Sequence, residues 1–449
     1  MSGTGGEREE AMNAGEDARA ASRHTLQSIF SQGVAAAHPS GCLAPHLPEP
    51  PHEGRLVLIA AGKAGGSMAE AALAHYRTLG VPTARIAGIS VARHGYGRPL
   101  DGIASIAAGH PVPDEGSIEG ARLALDLASS AGENDLVVVL LSGGASANLV
   151  APAKGLTLDD KRAVTRHLLR SGAAIGEINA VRKRLSRIKG GRLARAAYPS
   201  RLVTLAISDV PGDDPSVIGS GPTVPDPVTN DEALAIARRY DAPLGRLQPY
   251  IEDPANETQK PGDKIFERAT FRTVMTPRDM IRAAERAAIA AGYESVVLGS
   301  DLEGEAREVA RSHARLATEL WKAGRRAAII SGGELTVTIR GGGRGGPNQE
   351  FALALAIALD GLPGVCALAA DTDGTDGGGG APTDPAGAII DETTLARARA
   401  LRLDPQASLD ENDSTRFFEA LGDLLSPGPT FTNVNDLRVV LVDRRSALG

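Results

Sequence analysis

Five apolar runs in this chain each lead into a turn rich in glycine or aspartate, and the residues able to do chemistry stand in those turns. LVLIAA (56–61) leads into GKAGGSM, LVVVLL (136–141) into SGGAS, and LVTLAI (202–207) into SDVPGDDPS. LTVTI (335–339) leads into RGGGRGGPNQE and CALAA (366–370) into DTDGTDGGGG. Open parallel sheets bind ligands at the carboxyl ends of their strands. The layout therefore places Lys63, Asp209, Arg344 and Asp371 where a polyanionic ligand is expected.

Each turn has its own chemistry. Gly62 and Gly65 allow close backbone approach at a helix amino terminus, and Lys63 adds a full charge there. The turn is not a Walker A loop, because Val57 stands where the first glycine belongs and Ala64 where Ser or Thr belongs. Gly143 and Gly144 can offer backbone amides to an anion, with Ser142 and Ser146 adding hydroxyls. Asp209 ends a strand as a candidate catalytic carboxylate and metal ligand, and Asp213 and Asp214 could approach a divalent metal. Gly341, Gly343 and Gly346 spell G-x-G-x-x-G between the expected LTVTI strand and the expected helix from 347, which by itself is a dinucleotide fingerprint. Arg340 and Arg344 in that loop suit a transferring phosphoryl group better than a passive pyrophosphate. Asp371, Asp373 and Asp376 open like a calcium loop but lack its closing glutamate, since Pro382 stands at position twelve; magnesium or turn capping are the remaining readings. Arg182, Lys183, Arg184, Arg187, Lys189 and Arg192 crowd one segment, readable as a solvated helix face or as a clamp for carboxylate and phosphate. His110 belongs to no nucleophile or zinc motif and is expected to support its neighbours.

The elements that must position these residues alternate. A helix is expected over 18–40, then apolar runs alternate with helical stretches, the mark of βαβ units. Helices are expected near 67–79, 118–131, 279–291, 304–323, 347–360 and 392–402, with strands at 295–300, 327–333, 364–370 and 437–442. LTVTI reads as a hairpin-like continuation after 333. The fold class is therefore α/β with two domains, each a largely parallel or mixed sheet flanked by helices. The expected divisions are a frayed tail at 1–17, a Rossmann-like domain at 18–250, a linker at 251–269 and a second α/β domain at 270–449.

Composition narrows the function classes. A chain of 449 residues exceeds one ordinary core. No run approaches the roughly 18 apolar residues of a membrane span. The acidic start lacks the features of signal and mitochondrial leaders. Two cysteines fit a reducing cytosol, and a cytoplasmic protein is expected. Aromatics at 3% and a net charge of −7 argue against nucleic-acid partners.

Taken together, GKAGGSM, GHPVPDEGS, LLSGGASANL, VRKRLSRIKGGRLA, ISDVPGDDPSVIGSGPTVPD, GGELTVTIRGGGRGGPNQEFALA, DTDGTDG…PTDPAGAIID and GPTFTNVNDLRVVLV resemble, in order, the glycerate 2-kinase family with a C-terminal MOFRL domain. The resemblance implies transfer of a phosphoryl group from ATP, with Mg²⁺, to D-glycerate, giving 2-phosphoglycerate in a cleft between two domains. It carries the family's lysine, acid and arginine onto Lys63, Asp209 and Arg344. Gly62, Gly65, Ser142, Gly143, Gly144, Ser146, Gly343, Gly345, Asn348 and Glu350 are expected at the nucleotide and substrate. Arg184, Arg187 and Lys189 are expected at the glycerate carboxylate, and Asp209, Asp371 and Asp373 at the metal. Two other classes stay open: a NAD(P)H-dependent hydroxypyruvate or glycerate oxidoreductase, which the 341–346 loop would serve, and a non-catalytic nucleotide-binding regulator.

Overall fold

In a computed structural model that describes residues 4–444, the chain divides into two compact units, 39–275 and 276 onward joined by the N-terminal segment. The first unit is built on six strands: β1 (Leu56–Ala61), β2 (Ile86–Arg93), β3 (Ala104–Ala108), β4 (Leu136–Leu141), β5 (Arg201–Ile207) and β6 (Ala269–Met275). Their order is β3-β2-β1-β4-β5-β6, with every pairing parallel. β1 and β4 are buried at all six positions, as continuous apolar runs must be when helices cover both faces. This strand order reverses direction between β1 and β4, and a reversal opens a crevice where ligands bind. The turns after β1 and β4 are the ones carrying Lys63 and Gly143–Gly144.

The second unit holds β7 (Glu294–Gly299), β8 (Arg326–Ser331), β9 (Val365–Asp371), β10 (Gly387–Ile390), β11 (Leu424–Leu425) and β12 (Asp436–Asp443). Their order is β11-β10-β9-β12-β8-β7, with only β7 and β8 parallel, so the sheet is mixed. Helices Ala306–Lys322 and Pro347–Leu359 pack on it through an alanine-rich core with Phe351, Phe417 and Phe418. Small side chains let the helices approach the sheet closely, and the few aromatics fill what is left.

Three expectations are corrected. Residues 4–17 are not a tail: the first helix runs Thr4–Ala37, because Ala, Glu, Met and Arg dominate it and outweigh its glycines. Residues 1–3 lie outside the described chain. That helix joins the second unit, where Arg23 pairs with Asp391 and Asp423 at 2.8 Å each. Residues 251–275 are not a linker ending at 269. They complete the first unit, with β6 as the edge strand beside β5. Finally, 335–339 form no strand, only one bridge between Thr336 and Glu305. The Glu305 carboxylate, bound to the Thr338 amide (3.1 Å) and hydroxyl (2.9 Å), replaces a neighbouring strand, and Ile339 is 80% exposed. No helix among the described residues is long and apolar enough to cross a membrane.

Candidate anion site at the β1–β4 crevice

The turns after β1 and β4 are tied to each other before any ligand is considered. The Lys63 amide donates to the Gly143 carbonyl at 2.8 Å, and the Ala64 amide to the Ser142 hydroxyl at 2.9 Å. Gly62 is required here: its φ is +117°, and a Cβ would lie 2.3 Å from Ser142 Oγ. Gly65 opens helix Gly65–Thr78, where a Cβ would sit 3.2 Å from the Val91 carbonyl of β2. Ser142 is thus a strut between turns, a different duty from the ligand hydroxyl expected of it.

A third loop joins them. A Cβ on Gly144 (φ +86°) would sit 3.0 Å from His110 Cδ2 and 3.5 Å from Lys63 Cγ, so the lysine stem and the imidazole flank one glycine. The His110 loop is held by Asp114, which accepts from the Gly109 amide (2.9 Å) and caps helix Glu115–Ser129. Although burial opposes it, bonding to His94 and to the Gly109 and Ser117 amides holds the Asp114 carboxyl down at about 2. The N–H groups of Gly66, Gly143 and Gly144 have no hydrogen-bond partner among the described residues. Donor groups left open at a strand-to-helix turn beside a lysine are the ingredients of an anion cradle. Asp209 follows β5, one strand from β4, and is half-buried. Asp214 accepts from the Ser216 amide at 2.8 Å, which makes it a turn cap.

The basic segment splits in a way its sequence does not announce. Arg184 is fully buried, 2.6 Å from Asp226 and 3.3 Å from Glu257, and it also donates to the Val228 carbonyl. Lys183 shares Asp226 at 3.3 Å. Arg192 donates to the carbonyls of Lys183 (2.7 Å) and Asn256 (2.5 Å). The expected substrate role of Arg184 is therefore replaced by a structural one, because its charge is already neutralised. Arg187 is exposed and donates to the Pro152 carbonyl. Lys189 is buried and bonds the Ser146 carbonyl and hydroxyl, both at 2.8 Å. The Ser146 hydroxyl also receives Arg182 at 2.9 Å and contacts Ser220 Oγ at 2.9 Å, so it is spent inside the protein.

In the second unit, the Arg340–Gly346 loop lies against the protein. Cβ atoms on Gly343 and Gly345 would come within 2.4 Å of Asp413 and 2.3 Å of Ser414, so packing of the loop against its neighbours requires glycine at both positions. The Asn348 and Glu350 side chains are engaged inside the protein. Asn348 is buried against Asp376 (3.2 Å) and Asp436 (2.7 Å), while Glu350 is buried against Arg307 (2.6 Å) and Asn412 (3.0 Å). Both sit in the first turn of a helix whose start faces the interior. Arg344 points outward, with its side chain 70% exposed and only a 3.5 Å surface pair with Glu419.

The acidic loop is occupied by turn chemistry. The Asp371 carboxylate takes the Asp373 amide (2.8 Å), and Asp373 takes the Thr375 amide (2.8 Å) and hydroxyl (3.0 Å). Asp376 caps helix Pro347–Leu359 through the amides of Asn348 and Gln349; burial pushes its carboxyl up to about 7 against those donors. Among the described residues no group of three or more His, Cys, Asp or Glu is placed to hold a metal ion.

Fold and site define the class: an α/β protein that collects a lysine and open backbone amides at the switch point of a parallel sheet. Residues 25–252 match a domain of unknown function (DUF4147), and residues 327–436 match the MOFRL family. A putative hydroxypyruvate reductase of Agrobacterium vitis is 47% identical over 94% of both chains. A D-glycerate 2-kinase of Thermotoga maritima is 38% identical over 92% of this chain and 97% of its own. A crystal structure of Thermotoga maritima glycerate kinase superposes with a TM-score of 0.82 at 38% identity, covering 94% of this chain and 99% of that one. The chain belongs to the glycerate 2-kinase family with a C-terminal MOFRL domain.

Proposed function

We propose that the protein transfers the γ-phosphoryl group of ATP to the C2 hydroxyl of D-glycerate, releasing ADP and 2-phosphoglycerate. The observation that carries the reading is the Lys63 turn: a cation and open amides at the β1–β4 switch point, in a family whose relatives include named glycerate kinases. Phosphoryl transfer asks for in-line placement and charge neutralisation more than for covalent help. In this reading the substrate hydroxyl oxygen bonds to the γ-phosphorus as the bond to the β-bridging oxygen breaks. Asp209 takes the hydroxyl proton, Lys63 offsets charge on the transferring group, and the Gly143 and Gly144 amides hold phosphate oxygens. Arg344 is assigned the same charge-offsetting duty as Lys63. Mg²⁺ enters as part of the nucleotide complex, since the described residues offer no cage for it.

The Agrobacterium vitis relative's name supports a second reading, hydroxypyruvate reduction. Two features count against it. The G-x-G-x-x-G at 341–346 follows no strand, so its fingerprint context is missing. After β1, where a dinucleotide fingerprint belongs in this strand order, stands Gly-Lys-Ala-Gly-Gly, which is not G-x-G-x-x-G. Coupled ADP release from ATP and D-glycerate tests the kinase. NADH loss with hydroxypyruvate and no ADP formation would favour the reductase.

A further inference from the structure

Among the described residues, two cations of the basic segment, Arg182 and Lys189, meet no carboxylate within 4.0 Å, and neither does Lys161 of helix Leu158–Arg170. All three belong to the first unit. Lys161 and Lys189 are 7% and 1% exposed, and among the described residues their ammonium groups are held by neutral oxygens, Leu185 O and Ser146 O and Oγ, each at 2.8 Å. The Ser146 hydroxyl has two lone pairs, and both are taken by Arg182 and Lys189; its own proton must go to Ser220. One serine therefore pins two like charges beside each other. Such an arrangement is costly when nothing negative is present, since a buried charge without a partner loses several kcal/mol of hydration. Burial and the neighbouring cations accordingly hold both lysines well below their ordinary range.

These three side chains line a cavity of about 350 Å³ together with Val112, Val150 and Leu169 and two further arginines, Arg162 and Arg166. Pro111 and Ala147 also line it, so it adjoins the His110 loop and the Ser146 turn that frame the Lys63 site. We propose that this cavity is the carboxylate subsite of the acceptor acid, with Arg182, Lys189 and Lys161 supplying the positive charge. The proposal rests on the kinase reading for the identity of the acid, and on the cavity alone for the sign of its charge. Of the expected clamp it keeps Lys189, drops Arg184, whose charge Asp226 already cancels, and adds Arg182 and Lys161. The volume exceeds what a three-carbon acid fills, so longer 2-hydroxy acids should enter.

Steady-state kinetics and calorimetry on the full chain test it, using R182M, R182K and K189M with D-glycerate as the probe. Loss of a charge-assisted hydrogen bond should raise KM for D-glycerate ~10- to 100-fold while KM for ATP stays within about 3-fold. R182K should recover part of the loss, and calorimetry without ATP should show D-glycerate binding in the unaltered protein and not in K189M. If ADP forms normally and both methionine variants keep KM for D-glycerate within about 2-fold, the subsite is refuted and the kinase reading stands. If no ADP forms but K189M abolishes D-glycerate binding, the kinase reading falls and the subsite stands. Tighter binding of inorganic phosphate than of D-glycerate would overturn the carboxylate assignment. Should K189M fail to fold, the half-buried Arg182 pair decides.

Discussion

Gly62→Ala isolates what the crossed turns contribute, because a second glycine serves as its control. Gly80 also has positive φ (+77°), but nothing lies within 4 Å of a Cβ there. An alanine at 80 should cost only the left-handed backbone penalty, ~1–2 kcal/mol. At 62 the same penalty applies, and the new Cβ would lie 2.3 Å from Ser142 Oγ, 2.5 Å from Ser142 O and 2.8 Å from Gly143 O. Relief of those contacts pushes the turns apart and breaks the Lys63–Gly143 and Ala64–Ser142 hydrogen bonds, ~1 kcal/mol each. The local cost is therefore about 4 kcal/mol, roughly three orders of magnitude in the opening equilibrium. Hydrogen exchange of a peptide spanning 62–68, read by mass spectrometry, reports that opening directly. Exchange of the Lys63 and Ala64 amides should accelerate strongly in G62A and hardly in G80A, with ADP formation lost only in G62A. Matching exchange in the two variants would refute the claim that the turns brace each other.

Arg344→Ala should lower turnover by ~10³-fold or more if its guanidinium offsets transition-state charge, while thermal melting moves little because the side chain is exposed; near-normal turnover removes it from the reaction. Asp226→Asn removes the carboxylate shared by buried Lys183 and Arg184, leaving Arg184 only Glu257 at 3.3 Å, and should cost ~3–5 kcal/mol in urea unfolding; a loss under about 1 kcal/mol would mean Glu257 suffices to neutralise the pair. His313 gives a pH signature. Burial first, and the nearby Arg438 charge, lower its pKa to about 4, so the folded protein holds it neutral while the unfolded chain binds a proton below about 6.5. Its contribution is complete above that pH and is lost as pH falls toward 4, by about 3 kcal/mol in all. His313→Gln should flatten the stability profile in that window, and an unchanged slope would contradict the assignment.

The parts of the fold legible in sequence are those where burial on both faces writes an unbroken apolar run, as in β1, β4, β5, β9 and β12. β2 and β10 escape because Gly88 and Gly387 interrupt or shorten their runs; a Cβ at Gly387 would lie 1.9 Å from the Ala369 carbonyl. The LTVTI stretch misleads in the opposite direction, since alternation without a partner strand makes no strand. Unit boundaries are hidden because the first helix returns to a sheet formed more than 250 residues later, a contact with no local mark. Within the site, Lys63 and Gly143–Gly144 are readable from strand-to-turn position alone. The basic segment is not, because Asp226 and Glu257, which decide which cations are neutralised, lie far along the chain. Lys161 is the clearest omission: among Arg162, Arg166 and Arg170 it looks like one more solvated charge, and only packing reveals it as buried.

In the proposed reaction the cation and open amides at the β1–β4 crevice serve phosphoryl transfer to a hydroxy acid. Its most direct test is the ³¹P and ¹³C NMR spectrum of the products formed from ATP and D-glycerate. The account predicts ADP together with a phosphate ester coupled to carbon 2. An ester at carbon 3, or intact ATP beside NADH-dependent turnover of hydroxypyruvate, would contradict it.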